Sequence, residues 1–402
     1  MRLYSFDFFR GVAILGVIFH HYMAGPLSQI IYSKTPDHEF IFNPVVNSGW
    51  LGVTALFVIS GAVLYNAKII ESAKSLFSYY KHRAIRLLPL YFIVIFTSFL
   101  LNNDDVQTLA KNMFWLLFGL HDLRPSLWIP DMLWVCWSLG VEILFSILLP
   151  AVIWMVTRLN FVRTILIFIA FCWIYRLVAD HMWFVLNPNY KNPLINPFMD
   201  NIVGRIDDFM IGMYAGAMIR KRENFDKKIF ISAIFILIIS IYGWGLVIES
   251  HRNLWISALV STLHLTMAGS IAVFLVVAAR SSIFNKPIAS PLVFMGTICY
   301  SAYFMHALLM RYFQTFNTEI QWSLHQSMSR VAMTSLTALG VTILVSTITF
   351  VYIETMGIKH VPAWAATFRQ RVWQGAQAAT ALLPPLSWLA SGRLRRIRLG
   401  SR

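Results

Sequence analysis

Apolar residues gather into long blocks along this chain, and polar residues are confined to the stretches between them. Ten blocks approach the length of a membrane-crossing helix, about 20 residues. They run over 8–24, 50–65, 84–101, 137–157, 161–178, 203–219, 229–247, 256–279, 292–313 and 331–352. A further run, 113–120, is too brief to cross and reads as an interfacial or re-entrant piece. No loop is long enough to form a soluble domain. The pattern predicts an all-α integral membrane protein, a polytopic bundle of about ten transmembrane helices occupying residues 1–355.

Lysine and arginine orient the bundle. The loop after the second block carries Lys68, Lys74, Lys81, Arg83 and Arg86, and Arg158, Arg163, Arg220, Lys221, Arg222, Lys227, Lys228, Arg280 and Lys286 fall on the same side. The opposite loops hold Lys34, Lys111, Arg124, Lys191, Arg252 and Arg330. With Arg2 and the tail included, 23 of the 33 basic residues lie on one side and six on the other. The positive-inside rule makes the crowded side cytoplasmic and puts both termini there.

Composition agrees. The chain has 402 residues, 58% of them hydrophobic and 13% charged, whereas soluble chains carry about 25% charged residues. In a soluble protein, a net charge of +15 would point to nucleic acid. Here it follows from topology, with attraction to anionic membrane lipid as a second contribution, and nucleic acid is not an expected partner. Met1–Arg10 is short and polar, and no small-residue cleavage site follows the first block, so that block is expected to remain as an anchor. Cys136, Cys172 and Cys299 are scattered without CxxC spacing, which argues against a disulfide framework or a zinc site. After Glu354 the sequence turns Ala-, Pro- and Arg-rich, and residues 356–402 read as a basic cytoplasmic tail.

Ionisable side chains inside bilayer segments are costly and therefore mark sites. Asp7, Arg10 and His21 share one stripe of the first helix at 100° per residue, with His21 about 16 Å above Arg10. His20 points about 100° away. An imidazole can serve as a general base near neutral pH, and a buried guanidinium can hold a phosphate or carboxylate. The blander reading is a helix-capping Asp7–Arg10 pair and a His21 that meets interfacial water. Glu142 lies a turn and a half into the fourth block. Counted from the helix ends, it falls at the depth of His21, where it could orient the imidazole; an ion pair with Arg205 is the alternative. Arg83 and Arg86, three residues apart, could grip phosphates or simply anchor a cytoplasmic loop. Gly49, Gly52, Ser60, Gly61, Gly212 and Gly216 read as close helix packing. Asp104-Asp105 and Asp207-Asp208 are the acidic pairs a membrane glycosyltransferase would need in its external loops.

Several of these residues sit in ordered motifs. Asp7-Phe8-Phe9-Arg10-Gly11 with His21 resembles the opening D-x-x-R-G…H of the acyltransferase 3 family of bacterial membrane enzymes. Gly49 to Gly61, Tyr80 to Pro89, Trp137 to Phe145, Arg205 to Gly212 and Cys299 to His306 are similar, in the same order, to that family's further motifs. Two positions depart: Ile143 replaces a common second glutamate, and Cys299 a serine. The tail after about residue 355 lies outside the likeness.

The resemblance implies transfer of an acyl group, commonly acetyl from acetyl-CoA, to a sugar hydroxyl of a cell-envelope or secreted glycan at the bacterial inner membrane, without a metal. It assigns catalysis to His21, Glu142 and Arg10, and acyl-CoA binding to Lys81, Arg83 and Arg86. Asp7, Trp137, Ser138, Arg205, Tyr300 and His306 are then expected toward the acceptor. The competing class is a transporter or flippase of a lipid-linked glycan, in which buried His, Glu and Arg couple to protons. No inverted repeat is visible in the sequence.

Overall fold

The computed structural model describes residues 4–24, 44–45, 47–101, 106–123, 136–187, 196–223, 225–248, 253–285, 287–321, 328–357, 361–370 and 374. Asp104, Asp105, Lys34, Arg124, Lys191, Arg252 and most of the basic tail lie outside them. Twelve helices carry the described fold: α1 (Tyr4–Phe19), α2 (Leu51–Leu64), α3 (Ala73–Leu101), α4 (Val106–Leu117), α5 (Trp137–Leu159), α6 (Phe161–Leu186), α7 (Ile202–Lys221), α8 (Lys227–Ile248), α9 (Leu254–Ala278), α10 (Ser290–Thr297), α11 (Cys299–Gln321) and α12 (Met328–Tyr352). There is no strand among the described residues.

Each apolar block of the sequence falls on a helix, and α4 covers most of the brief 113–120 run. Among the described residues, five helical stretches are long and apolar enough to cross a membrane: Trp137–Leu159, Phe161–Leu186, Lys227–Val247, Leu254–Ala278 and Ala332–Met356; the bent pair Ser290–Thr297 and Cys299–Met310 makes a sixth if it is one span. Two of the other blocks fall short for identifiable reasons: α2 is only 14 residues long, and α7 holds Arg205, Asp207 and Asp208 in its first two turns. α6 and α8 turn rows of leucine, isoleucine, valine and phenylalanine outward, among them Leu166, Phe171, Ile174, Phe235 and Ile239. Apolar surface on this scale suits lipid, and the chain is a multi-pass membrane protein.

Two expected helices are broken. The block 292–313 divides at Ile298, where α10 and α11 meet at 75°. The ladder survives the bend, because Ile298 N–H donates to Phe294 O at 3.2 Å and Ala302 N–H to Ile298 O at 2.9 Å. The first block is α-helical only to Phe19 and continues as a π turn over His20–Ala24. A uniform 100° step therefore stops at Phe19, two residues before His21.

Starts and contacts have local causes. Asn160, Asn201 and Asn253 cap α6, α7 and α9 by accepting backbone N–H groups with their side chains. The small residues act as packing surfaces. A methyl on Gly61 would run into the carbonyl of Phe209, and one on Gly212 into that of Val58, so α2 and α7 meet backbone to backbone. Gly11 and Gly296 do the same for α1 and α10, against Leu292 and Asp7. Beside this seam Phe209 stacks between Phe57, at 4.8 Å, and Phe145, at 4.0 Å. α2, α5 and α7 thereby share one core, and the site is built against it.

Candidate functional site

A cavity of about 80 Å³ opens between α1, α2, α3, α5 and α11. Its polar walls are Arg10 from α1, Arg83 and Arg86 from α3, Ser138 and Glu142 from α5, and Cys299, Tyr300 and Tyr303 from α11. Residues far apart in sequence thus converge on one space. Lys81 is exposed and Trp137 stands behind the wall, edge-on to Phe57 at 6.0 Å.

The three arginines are not equivalent. Arg83 is committed: its Nη2 donates to Glu142 Oε1 at 2.9 Å, and its Nε and Nη2 donate to Ser146 Oγ at 3.0 and 2.8 Å. Ser146 Oγ in turn donates a hydrogen bond to the backbone carbonyl of Glu142 at 2.7 Å. Arg10 is held lightly, by one bond from Nη1 to Asp7 Oδ1 at 3.1 Å. Arg86 lines the cavity without a hydrogen bond to a described residue, and the carboxylates of Glu354 and Glu142 act on its charge through space. Ser138 Oγ donates to the Tyr303 hydroxyl at 2.7 Å, and Tyr300 OH to Leu87 O at 2.7 Å.

His21 has a different partner from the one its depth suggested. Its Nδ1 lies 2.8 Å from Nε2 of His306 on α11, with the two rings parallel to within 1°. Tyr22 OH braces His306 from behind, donating to its carbonyl at 3.0 Å and meeting Thr342 Oγ1 at 2.9 Å. Glu142 instead pairs with Arg83, so the expected His21–Glu142 pair is not formed, and neither is a Glu142–Arg205 pair. The reason is where α5 begins. Cys136 and Leu139 are buried, and the Cys136 carbonyl accepts from His121 Nε2 at 2.9 Å. The helix starts inside the bundle, and counting depth from its first residue misplaces Glu142 toward His21. His20 lies against Gly49, whose added methyl would meet its Cβ.

The family model for the acyltransferase domain matches residues 3–353. The chain belongs to that family. No curated protein matches it, and no solved structure does.

In this acyltransferase the remaining motif residue, Arg205, stands apart from the cavity. Its guanidinium contacts Asp208 at 3.3 Å, Asp200 at 3.8 Å, His264 at 2.8 Å and Thr54 Oγ1 at 2.9 Å. It also sits over Phe57 and Trp137, 5.4 and 5.8 Å from the ring centres. Beside it Arg176 of α6 grips both oxygens of Asp207 at 2.7 and 2.8 Å, with both side chains wholly buried. Asp207 and Asp208 are therefore internal partners within α7, not an external acidic pair. Sequence reasoning missed Ser146, His264, Arg176 as a partner and Glu354, which accepts from Ser301 Oγ at 2.9 Å. Arg176 and His264 were visible as polar residues inside apolar blocks; nothing local singled out Ser146.

Proposed function

We propose that this acyltransferase moves an acyl group, acetyl in the first instance, from acetyl-CoA to a hydroxyl of a cell-envelope or secreted glycan. It works as a ten-span protein of the bacterial inner membrane with both termini in the cytoplasm. The observation that carries the reading is the convergence of three guanidinium groups, Arg10, Arg83 and Arg86, on one internal cavity whose lining, among the described residues, holds a single carboxylate, Glu142. An enclosed excess of positive charge is expensive unless an anion comes to it, and the phosphates of CoA are such an anion. From there the pantetheine arm spans the rise along α1, about 16 Å from Arg10 to His21.

His21 is the general base in this scheme. A sugar hydroxyl is too weak an acid to attack at neutral pH, so its proton must leave as the bond forms. The hydroxyl oxygen attacks the thioester carbonyl while His21 takes the proton, the C–S bond breaks, and the CoA thiolate recovers the proton from His21. Glu142 acts at a distance from that proton, holding Arg83 and with it the α3–α5 wall.

The test is purified enzyme in lipid nanodiscs with acetyl-CoA and surface polysaccharide from a strain lacking the gene. Acetyl groups appearing on the polysaccharide, with release of CoA thiol, support the reading. Movement of the glycan across vesicles without acetylation would replace it with the flippase reading, which the buried Arg176–Asp207 and Arg205–Asp208 pairs would serve.

A further inference from the structure

The contacts of His306 fix which nitrogen of His21 carries its proton. His306 Nδ1 lies 3.2 Å from the carbonyl oxygen of Ala302, one turn back on α11. A carbonyl only accepts, so that nitrogen bears the hydrogen. The His306 ring is fully buried, and no carboxylate among the described residues bonds to it, which keeps the ring neutral. Its Nε2 is consequently an acceptor. His21 Nδ1, 2.8 Å away, must then be the donor, and the lone pair of His21 stands on Nε2.

We propose that His306 is a positioning residue that holds His21 in the Nδ1–H tautomer and so aims the basic Nε2 at the acceptor hydroxyl. When Nε2 takes the hydroxyl proton, the imidazolium keeps its Nδ1–H bond to His306, and the positive charge is shared along the pair rather than met by a carboxylate. The Ala302 carbonyl and the Tyr22 hydroxyl, the latter through the His306 backbone, keep the second ring from turning. This rests on the reading of His21 as the base.

Two isosteric variants separate the roles. Asparagine at 306 can reach the Ala302 carbonyl but is too short to reach His21; glutamine can put an acceptor oxygen where Nε2 stood. His306→Gln is expected to keep kcat within about tenfold of the native enzyme, and His306→Asn to lose about 10²-fold or more. KM for acetyl-CoA is expected to stay unchanged in both, and so is the melting temperature in detergent. His21→Ala, assayed beside them, is expected to be inactive. Equal kcat for the Asn and Gln variants, or a loss appearing in KM, would overturn the relay. An active His21→Ala enzyme would instead remove His21 as the base, a separate failure. If the Asn variant melts early, the Gln variant decides: a loss of about 10²-fold in a normally folded His306→Gln protein also overturns the proposal.

Discussion

Replacing Arg83 by alanine breaks a hydrogen-bonded ion pair, whereas replacing Arg86 removes a cation that meets Glu354 and Glu142 only through space. The two are three residues apart on α3, so sequence treats them alike. In the structure Arg83 satisfies Glu142 and Ser146, and its side chain is 11% exposed against 21% for Glu142. Taking it away leaves a partly buried carboxylate without its cation. Breaking a buried pair costs about 3–5 kcal/mol, and the residual exposure here puts Arg83→Ala at the lower end or somewhat beneath it. Arg86→Ala breaks no hydrogen bond to a described residue but takes away a charge that acts on the buried Glu354, and should cost about 1 kcal/mol, less than Arg83→Ala. Its larger effect falls on the donor. A lost charge-assisted bond is worth about 1.5–3 kcal/mol, which is roughly 10- to 150-fold in acetyl-CoA affinity. Calorimetric titration of acetyl-CoA and thermal melting, both on detergent-solubilised enzyme, read the two quantities separately. The reasoning is refuted if Arg86→Ala binds acetyl-CoA as tightly as the native protein, or if Arg83→Ala melts at the native temperature.

Three further outcomes are expected. Arg176→Ala should cost about 3–5 kcal/mol by stranding the wholly buried Asp207, while the double variant Arg176→Met/Asp207→Leu should be milder; equal melting of both would contradict it. Cys299 lines the cavity while Cys136 and Cys172 are fully buried, so a maleimide should label Cys299 in the native protein and acetyl-CoA should suppress the labelling. Undiminished labelling at saturating acetyl-CoA would put the donor elsewhere. In a background whose native cysteines are replaced, single cysteines at Lys74 or Arg222 should resist an impermeant thiol reagent applied outside the cell; reaction there would reverse the orientation of the bundle.

The helices were legible because the apolar blocks that make them are local features, and the glycine seams because small residues at helical spacing mean little else. Arg10, Arg83, Arg86, Ser138, Glu142 and Tyr300, all read from motifs, do line one cavity. What sequence did not yield was pairing. The stripe that joined Asp7, Arg10 and His21 assumed a uniform α-helix, and the π turn at His20 is invisible to periodicity. The match of Glu142 to His21 assumed that α5 starts at a membrane surface. Only the packing of His121 over Cys136 shows that it starts within the bundle. The break at Ile298 has no proline to announce it.

The charges inside α7 bear on how this protein is made. Each Arg or Asp in an inserting helix is costly, up to about 2.5–3.5 kcal/mol at its centre on translocon scales and less toward its ends, and α7 brings Arg205, Asp207 and Asp208 together in its first two turns. Arg205 and Asp208 pair with each other within α7, while their neighbours come from elsewhere: Arg176, which holds Asp207, is synthesised earlier, in α6, and His264 later, in α9. During biogenesis, α7 therefore reaches the lateral gate with each of its three charges able to find a partner, and only the His264 imidazole is still to come, some fifty residues later. A nascent chain arrested between α7 and α9 would keep these ion pairs and lack only that imidazole.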